Sequence, residues 1–378
     1  MPPRPTRRAT RGRTPDGQQD GQWGNDLYTG RRSYDIVGHR NRWFMVAATL
    51  VLLSSALLMS RGLNLGIAFR GGSEFTVPRV ATTDQQPALD AVASIEGAEP
   101  PRVSVVGTGT IRVQTSSLTD VQTSSLKAAL ATAYGVDVVD VDSSFVGPQW
   151  GQDVTSKALR ALVIFLVLVS LVLTVYFRDW RMAAAGLVAL VHDVILTVGV
   201  YAAVGWEVTP ATVIGFLTIL GYSLYDTVVV FDKVRENVRG VVKQKRFTYS
   251  EMANLALNQT LVRSINTSIV AVLPVAAILF IGAFLLGAGT LRDIALALFV
   301  GILVGTFSSV FLATPLLTWM KDQDEEFAAH NATVLAARAA APQGQESRVR
   351  VGALVPGEHL GNRAQPRRRP SRTPGRRP

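Results

Sequence analysis

Three charged residues inside or at the start of long apolar stretches of this sequence could carry ion-coupling chemistry. Asp193 and Asp226 lie inside such stretches, and Arg263 opens another. A charge inside a bilayer costs at least about 2.5–3.5 kcal/mol on insertion scales, so such residues usually mark ion pathways or pair with one another. A carboxyl that changes its protonation state within the bilayer is what proton coupling requires. The sequence therefore nominates Asp226, Arg263 and Asp193 as proton-coupling residues.

Asp226 is the sharpest of these candidates because of the helical face on which it lies. It stands about five residues, or roughly 8 Å, from one end of the apolar stretch 209–231. The 3.6-residue period places it with small and polar residues and gathers large apolar residues on a separate face suited to lipid. The first face holds Gly215, Thr218, Tyr222, Asp226 and Val229, and the second holds Phe216, Leu220, Leu224, Val228 and Phe231. Asp226 is therefore predicted to point toward other helices.

Arg263 and Asp193 each admit a second, structural interpretation. Arg263 begins the stretch that runs back through the bilayer, so its depth is similar to that of Asp226 and the two side chains could pair. Alternatively, Arg263 only marks the end of its span. Asp193 is the deepest acid in the chain, and it could instead make a structural hydrogen bond to a neighbouring Ser, Thr or backbone carbonyl. His192 points about 100° away on the same helix and is not nominated.

Six apolar stretches must position these side chains, and each is close to the roughly 20 residues that a helix needs to cross a bilayer. They cover about 43–59, 157–177, 182–204, 209–231, 264–285 and 291–319. Only 17% of the 378 residues are charged, and these stretches contain very few of them. We therefore predict an α-helical polytopic membrane protein with six transmembrane helices.

Residues 61–150 differ from the rest because they are polar and acidic, with six basic against nine acidic side chains. Strand and helix patterns follow one another in the order β-α-β-β-α-β, which is the order of the split ferredoxin-like motif. The last of these strands is predicted at Val136–Val141. We predict one α+β, ferredoxin-like domain between the first and second spans.

Basic residues outside the spans predict the orientation of the chain in the membrane. Lys and Arg concentrate in segments that lie on one side of a six-span chain, and the positive-inside rule makes that side cytoplasmic. Both termini are then cytoplasmic. The predicted organisation is a disordered basic tail at 1–40, a first span at 41–60, an extracytoplasmic domain at 61–150, a five-helix membrane domain at 151–320 with a cytoplasmic loop at 232–262, and a second disordered basic tail at 321–378.

Composition argues against several other classes of function. The chain has no Cys, only four scattered His and no GxxxxGK[ST] phosphate loop, which argues against thiol chemistry, a metal site and ATP binding. We expect no cofactor, no metal and no enzymatic activity. The formal net charge of +10 reflects tail arginines among Pro and Gly, which indicates contact with membrane lipid rather than nucleic acid.

A row of small residues recurs every four positions in the sixth apolar stretch, at Ala297, Gly301, Gly305 and Ser309. Small residues at this spacing let two helices approach closely. We interpret the row as a packing seam and not as part of a site.

Five motifs together resemble the SecD/SecF family of the RND superfamily. They are Gly66–Gly72, Phe145–Gly151, Val191–Val194, Gly221–Asn237 and Asn254–Ser268, and the resemblance covers roughly residues 34–320. The motif positions expected to be structural are Gly71, Gly72, Gly147, Pro148, Gly221 and Asn266. Six spans with one large domain after the first favour the SecF type of the family over the SecD type.

The resemblance implies an RND-like helical bundle in the cytoplasmic membrane and a role in protein secretion. It implies that the chain, together with SecD, uses the proton motive force to complete export of preproteins through the SecYEG channel, after the step driven by the SecA ATPase. YajC and YidC are further implied partners, and the family's functional acid and arginine match Asp226 and Arg263. Two positions depart from the family pattern, because Ala68 replaces the usual Asp and Tyr225 replaces the usual Asn. The alternatives are a small-molecule or lipid exporter subunit of the same superfamily and a structural assembly factor of the translocon.

Overall fold

Six helices long and apolar enough to cross a membrane form most of the computed structural model, which describes residues 27, 32–97, 99–107, 109–285 and 289–340. Their bounds are Arg40–Arg61, Pro148–Phe177, Trp180–Val204, Pro210–Lys243, Tyr249–Gly282 and Leu291–Asp322, and we call them the first to sixth spans. The second and fifth begin earlier than their apolar stretches because helix-start residues precede those stretches. Pro148 occupies the first turn of the second span, and Thr248 caps the fifth by accepting a hydrogen bond from the Glu251 backbone N–H.

The secondary structure follows the chain in a simple order. The helices are α1 Arg40–Arg61, α2 Ile67–Arg70, α3 Gln86–Ala93, α4 Asp120–Tyr134, α5 Pro148–Phe177, α6 Trp180–Val204, α7 Pro210–Val238, α8 Tyr249–Ala277, α9 Gly289–Ser308, α10 Thr314–Asp322 and α11 Glu325–Ala339. The strands are β1 Asn64–Leu65, β2 Gly72–Val77, β3 Arg102–Val105, β4 Ile111–Thr115, β5 Asp142–Val146 and β6 Glu207–Val208. Wider π-helical turns at Ile278–Leu285 and Ser309–Ala313 continue α8 and α9.

Between the first and second spans, four strands form a sheet in the order β3-β4-β2-β5, and every neighbouring pair is antiparallel. Along the chain these elements follow as β2-α3-β3-β4-α4-β5. The side chains of α3 and α4 form one hydrophobic core with the sheet, in which Phe75, Ile111 and Leu126 are fully buried. This domain therefore has an apolar core of its own, separate from the spans.

The last strand of this sheet lies later than the sequence predicts. Val136–Val141 was expected to be extended, but Val138–Asp140 form a 3₁₀ turn and the strand is Asp142–Val146. The Asp137 carboxylate starts the turn by accepting a hydrogen bond from the Val139 backbone N–H. Val139 points outward and is 86% exposed, so apolar composition alone did not identify the strand.

The two glycine-containing motifs at the base of this domain pack against each other. Gly71 has φ +77°, and a Cβ atom there would lie 2.8 Å from the Pro148 Cα. A Cβ at Gly151 would lie 2.6 Å from the Phe69 carbonyl oxygen. Gly72, with φ +134°, pairs with Val146 across β2 and β5. Glycine is thus required where the chain leaving the first span crosses the start of the second.

A short parallel strand pair ties this domain to the spans. β1 pairs with β6, so Asn64 lies opposite Glu207. The Glu207 carboxylate accepts hydrogen bonds from Gln114 Nε2 at 2.6 Å and from Arg112 Nη1 at 3.4 Å, and both donors belong to β4. The segment that enters the fourth span is therefore held directly by the four-stranded sheet.

The other end of the bundle is closed by a helix that the sequence analysis missed. Residues 321–378 were predicted to be a disordered tail, but α11 covers Glu325–Ala339. Arg338 donates to both carboxylate oxygens of Glu251 at 2.6 and 2.7 Å, and this hydrogen bonding raises the pKa of Arg338. Asp324, just before α11, pairs with Arg181 at 2.7 Å. These contacts are non-local, so the local composition of the segment gives no sign of them.

The predicted disordered segment 1–40 also contains ordered residues. Two asparagine side chains of α8 hold it: Asn254 Oδ1 accepts from the backbone N–H groups of Ile36 and Val37, and Asn258 Oδ1 accepts from that of Tyr34. Ile36 and Val37 are buried. Most of 1–31 and all of 341–378 lie outside the described residues, as do the tail arginines assigned to lipid contact.

Candidate functional site

Asp226 lies where the fourth, fifth and sixth spans meet, and it is 5% exposed. One carboxylate oxygen accepts a hydrogen bond from Ser264 Oγ of α8 at 2.7 Å. The other accepts one from Ser309 Oγ of the sixth span. Asp226 therefore points into the bundle, as its helical face predicts, and two serine hydroxyls of different helices meet its carboxyl.

Ser309 reaches Asp226 from a turn that departs from the regular α-helix. It is the first residue of the π-helical segment Ser309–Ala313. Pro315 follows, and it has no N–H to donate to the carbonyl of Phe311, which weakens the regular pattern in this region. Single π-helical turns within longer helices occur frequently at functional sites.

Asp193 is a second buried carboxyl, 1% exposed, in the middle of the third span. It accepts a hydrogen bond from Ser223 Oγ of α7 at 2.5 Å, and its other oxygen lies 3.3 Å from His192 Nδ1. Gly305 of the sixth span leaves room here, because a Cβ at that position would lie 3.0 Å from the Ser223 Cβ. Asp193 thus makes the serine hydrogen bond that its structural interpretation expects, at a point where three spans meet.

The two carboxyl sites are joined through α7. Ser223 and Asp226 are three residues apart on this helix and so lie on the same side of it, one turn from each other. Thr227 is adjacent to Asp226 in sequence, and His192 is adjacent to Asp193. Thr227 Oγ1 and His192 Nε2 are both buried, and within the described residues neither atom has a hydrogen-bond partner. The region therefore combines two protonatable carboxyls with hydroxyl groups and two unsatisfied polar atoms in the interior of the bundle.

Arg263 does not join this cluster. Its side chain is exposed, and its Nη2 donates to the Tyr225 hydroxyl at 3.2 Å. The predicted ion pair with Asp226 is not formed within the part of the chain that the structure describes. Ser264, the next residue, occupies that place because it lies about 100° further around α8.

The exposed surface around Arg263 is polar although it belongs to membrane spans. Tyr225 is 53% exposed, and Asn266 and Gly221 are exposed as well. A Cβ at Gly221 would meet no atom within 4 Å, so packing inside this chain does not require glycine there. Gly221 and Asn266, which were expected to be structural, therefore lie on this surface and not in the core.

The structure corrects two assignments made from helical spacing. Leu220 and Phe231 were placed on a lipid-facing surface, but they are 1% and 0% exposed. The row of small residues was interpreted only as a packing seam, yet its last two members, Gly305 and Ser309, line the carboxyl sites. Ser309 continues the four-residue spacing of that row, and this spacing was the only feature of the sequence that could have indicated its role.

Metal ligands are not grouped in the residues that the structure describes. Within 27, 32–97, 99–107, 109–285 and 289–340, no set of three or more His, Cys, Asp or Glu could hold a metal ion. The candidate site therefore consists of protonatable side chains and hydroxyls.

Known proteins are similar to this chain in both sequence and fold. The family model described as protein export membrane protein SecD/SecF, C-terminal, matches residues 126–323. The protein translocase subunit SecF of Streptomyces coelicolor is 46% identical over 84% of this chain and 85% of that protein. Its counterpart in Mycobacterium tuberculosis is 44% identical over 85% of this chain and 74% of that protein.

A solved structure agrees with these relatives. The crystal structure of SecDF from Thermus thermophilus, described as a translocon-associated membrane protein, matches with a TM-score of 0.68 at 30% sequence identity. The match covers 77% of this chain and 39% of that chain. The residues matched by the family model, 126–323, include Asp193, Asp226 and Arg263.

Proposed function

Because this chain belongs to the SecD/SecF family of protein export membrane proteins, we propose that it is an accessory subunit of the Sec translocase that draws on the proton motive force. Together with SecD it completes the export of preproteins through the SecYEG channel, after the ATP-driven step of SecA. The sequence lacks a GxxxxGK[ST] phosphate loop, so we assign the ATP-driven step to SecA alone. The observation that carries the proton-coupling part is the environment of Asp226.

The Asp226 carboxyl can be satisfied in either protonation state. A serine hydroxyl donates one hydrogen bond and can also accept, so Ser264 and Ser309 can serve a charged carboxylate or a neutral acid. An arginine in the same place would favour the charged form alone. A buried carboxyl whose side-chain hydrogen-bond partners in the described chain are two hydroxyls is therefore suited to binding and releasing a proton.

Proton binding at Asp226 would also change helix packing. The two serines belong to the fifth and sixth spans, while Asp226 belongs to the fourth. A change of charge on one carboxyl therefore alters hydrogen bonds between three helices at once. Asp193 accepts a hydrogen bond from Ser223 of α7, and we propose it as the second proton-binding group in the interior of the bundle.

SecD is proposed to bind the polar surface formed by Tyr225, Arg263 and Asn266. A guanidinium facing acyl chains is costly, so it normally faces protein or a water-filled cavity. The Tyr225 hydroxyl is the only hydrogen-bond partner of the Arg263 guanidinium in the described part of this chain. A carboxylate of SecD would complete the pairing that Asp226 does not provide. SecYEG, SecA, YajC and YidC remain expectations from the family resemblance.

The chain is proposed to lie in the cytoplasmic membrane with both termini in the cytoplasm. The basic segments between and beyond the spans support this orientation through the positive-inside rule. The four-stranded domain is then extracytoplasmic, and its element order and strand order support a ferredoxin-like assignment. Its contact with Glu207 provides a route from that domain to the fourth span.

Export into membrane vesicles under an imposed proton gradient tests the proposal. The variant Asp226→Asn keeps the size of the side chain and removes its titration, so the gradient-dependent part of export should be lost. Asp232→Asn is the matched control, because Asp232 lies on the same helix and accepts a hydrogen bond from the Tyr176 hydroxyl at the helix end. If Asp226→Asn retains the full gradient dependence, the proton-coupling role is wrong.

A further inference from the structure

A cavity of about 580 Å³ lies between the four-stranded sheet and the adjacent ends of the spans. One wall is formed by residues 102–106, which contain strand β3 and its end. The opposite wall comes from the ends of the first, third and sixth spans and from β6. The proton-coupling site does not include any of these residues.

Arginine dominates the charge of this cavity. Its lining contains five arginines and two carboxylates: Arg61, Arg70, Arg102, Arg112 and Arg292 with Glu207 and Asp293. The surrounding segment 61–150 is acidic, yet four of its six basic residues line this cavity. We call this space the arginine cavity. An excess of positive charge here favours an anionic ligand.

Two of these arginines, Arg112 and Arg292, have a buried nitrogen without a hydrogen-bond acceptor in the described chain. The Arg112 Nη1 lies 3.4 Å from Glu207, and its buried Nε lies 3.6 Å from the Glu74 carboxylate, too far for a hydrogen bond. The Nε of Arg292 is likewise buried without a hydrogen bond. Arg70 and Arg102 form no ion pair within the described residues. Burial, and then the positive charge of Arg102, lower the pKa of Arg70. Since buried donors in proteins are almost always paired, the Nε groups of Arg112 and Arg292 indicate a missing acceptor, while the exposed Arg70 and Arg102 add positive charge to the cavity.

The strand on the other side of the cavity has a free edge. β3 is the last strand of its sheet and pairs only with β4, so its outer backbone N–H and C=O groups have no strand partner in the described chain. Five consecutive residues line the cavity, which corresponds to roughly 17 Å of extended chain. Edge strands bind extended peptides by adding a strand, with side-chain contacts giving specificity.

We propose that the arginine cavity binds an extended, acidic polypeptide segment, which adds to β3 as a fifth strand and places its carboxylates against Arg70, Arg102 and Arg292. This proposal rests on the proposed function, in which the translocating preprotein supplies such a segment on the extracytoplasmic side. Charge complementarity and the free strand edge together favour a peptide over an anionic lipid headgroup, because a headgroup would use the arginines alone.

Peptide binding to the complex with SecD tests the proposal. The complex is placed in nanodiscs of zwitterionic lipid, and a fluorescent octapeptide of alternating Asp and Val is titrated while its anisotropy is measured. The wild type should bind this peptide more tightly than the same peptide with Asn in place of Asp. The double variant Arg70→Gln with Arg102→Gln should weaken binding by about tenfold or more, since hydrogen bonds to charged groups are lost.

Arg79→Gln provides the matched control. Arg79 belongs to the same domain, is 77% exposed and pairs with Asp140 at 3.0 Å, away from the cavity. Its variant should bind the Asp peptide as the wild type does. Equal affinity for the Asp and Asn peptides, or equal losses in the control and the double variant, would overturn the proposal.

Two further outcomes separate this proposal from its alternatives. If nanodiscs that contain phosphatidylglycerol displace the peptide from the wild type, and the double variant binds that lipid less, the occupant is a lipid headgroup and the peptide assignment is wrong. If the Asp peptide fails to bind while Asp226→Asn abolishes gradient-dependent export, only this further inference fails. If the Asp peptide binds but Asp226→Asn retains full gradient-dependent export, only the proton-coupling proposal fails.

Discussion

Removal of the Ser309 hydroxyl should uncouple Asp226 from the sixth span. Ser309→Ala deletes one of the two hydrogen bonds to the carboxyl and leaves Ser264 as the remaining donor. Ser308→Ala is the matched control, because the neighbouring Ser308 is also fully buried but bonds only the Gly305 carbonyl of its own helix. The two variants remove the same atom from adjacent positions.

The expected loss of unfolding free energy depends on whether the acceptor of the serine hydroxyl is charged. Hydrogen bonds between spans average about 0.6 kcal/mol and reach about 1.7 kcal/mol. Bonds to charged groups in proteins contribute about 1.5–3 kcal/mol. Ser309→Ala should therefore lower the free energy of unfolding by about 1.5–2 kcal/mol, and Ser308→Ala should lower it by about 0.5 kcal/mol.

A double-mutant cycle with Asp226→Asn isolates the pair. Equilibrium unfolding in mixed detergent micelles gives the free energies of the single and double variants. The coupling energy between Ser309 and Asp226 should be about 1–2 kcal/mol, while that between Ser308 and Asp226 should stay within about 0.5 kcal/mol of zero, as for independent sites. Equal coupling energies for the two serines would refute the assignment of Ser309 to the carboxyl site.

Two further predictions concern the base of the outer domain and the exposed arginine. Gly151→Ala should destabilise the protein by about 1–3 kcal/mol, because its Cβ would lie 2.6 Å from the Phe69 carbonyl oxygen. Gly147→Ala is the control, because a Cβ at that position would meet no atom within 4 Å. This control should unfold at the same denaturant concentration as the wild type. A stabilised Gly151→Ala, as helix propensity alone would give, contradicts the packing. Arg263→Gln should reduce the recovery of SecD on co-purification, while Arg239→Gln, at the exposed end of the fourth span, should not. Undiminished recovery with Arg263→Gln would rule out that surface as the SecD contact.

The spans and the inward direction of Asp226 could be predicted because they depend on local periodicity. Hydropathy identifies a span, and the 3.6-residue period separates the faces of a helix. The period does not say which face meets which neighbour, so Leu220 and Phe231 were assigned to lipid although they are buried. Contacts between distant residues decide that question.

One of the two interpretations of Arg263, an ion pair with Asp226, was wrong for the same reason. Similar depth in the membrane suggested Arg263, but depth is a one-dimensional measure, and the rotation of α8 brings Ser264 to the carboxyl instead. Ser309 was overlooked because a serine in a row of small residues is usually a packing residue. Helix α11 was missed because its stabilising contacts, such as Arg338 with Glu251, join residues far apart in sequence.

Proton movement through the complex tests the central claim most directly. The complex of this chain with SecD is reconstituted into proteoliposomes that contain a pH-sensitive dye, and a proton gradient is applied. The account predicts that the wild type and Asp232→Asn acidify the lumen and that Asp226→Asn does so no faster than empty vesicles. Proton entry through Asp226→Asn at the wild-type rate would contradict the claim that the Asp226 carboxyl carries the proton.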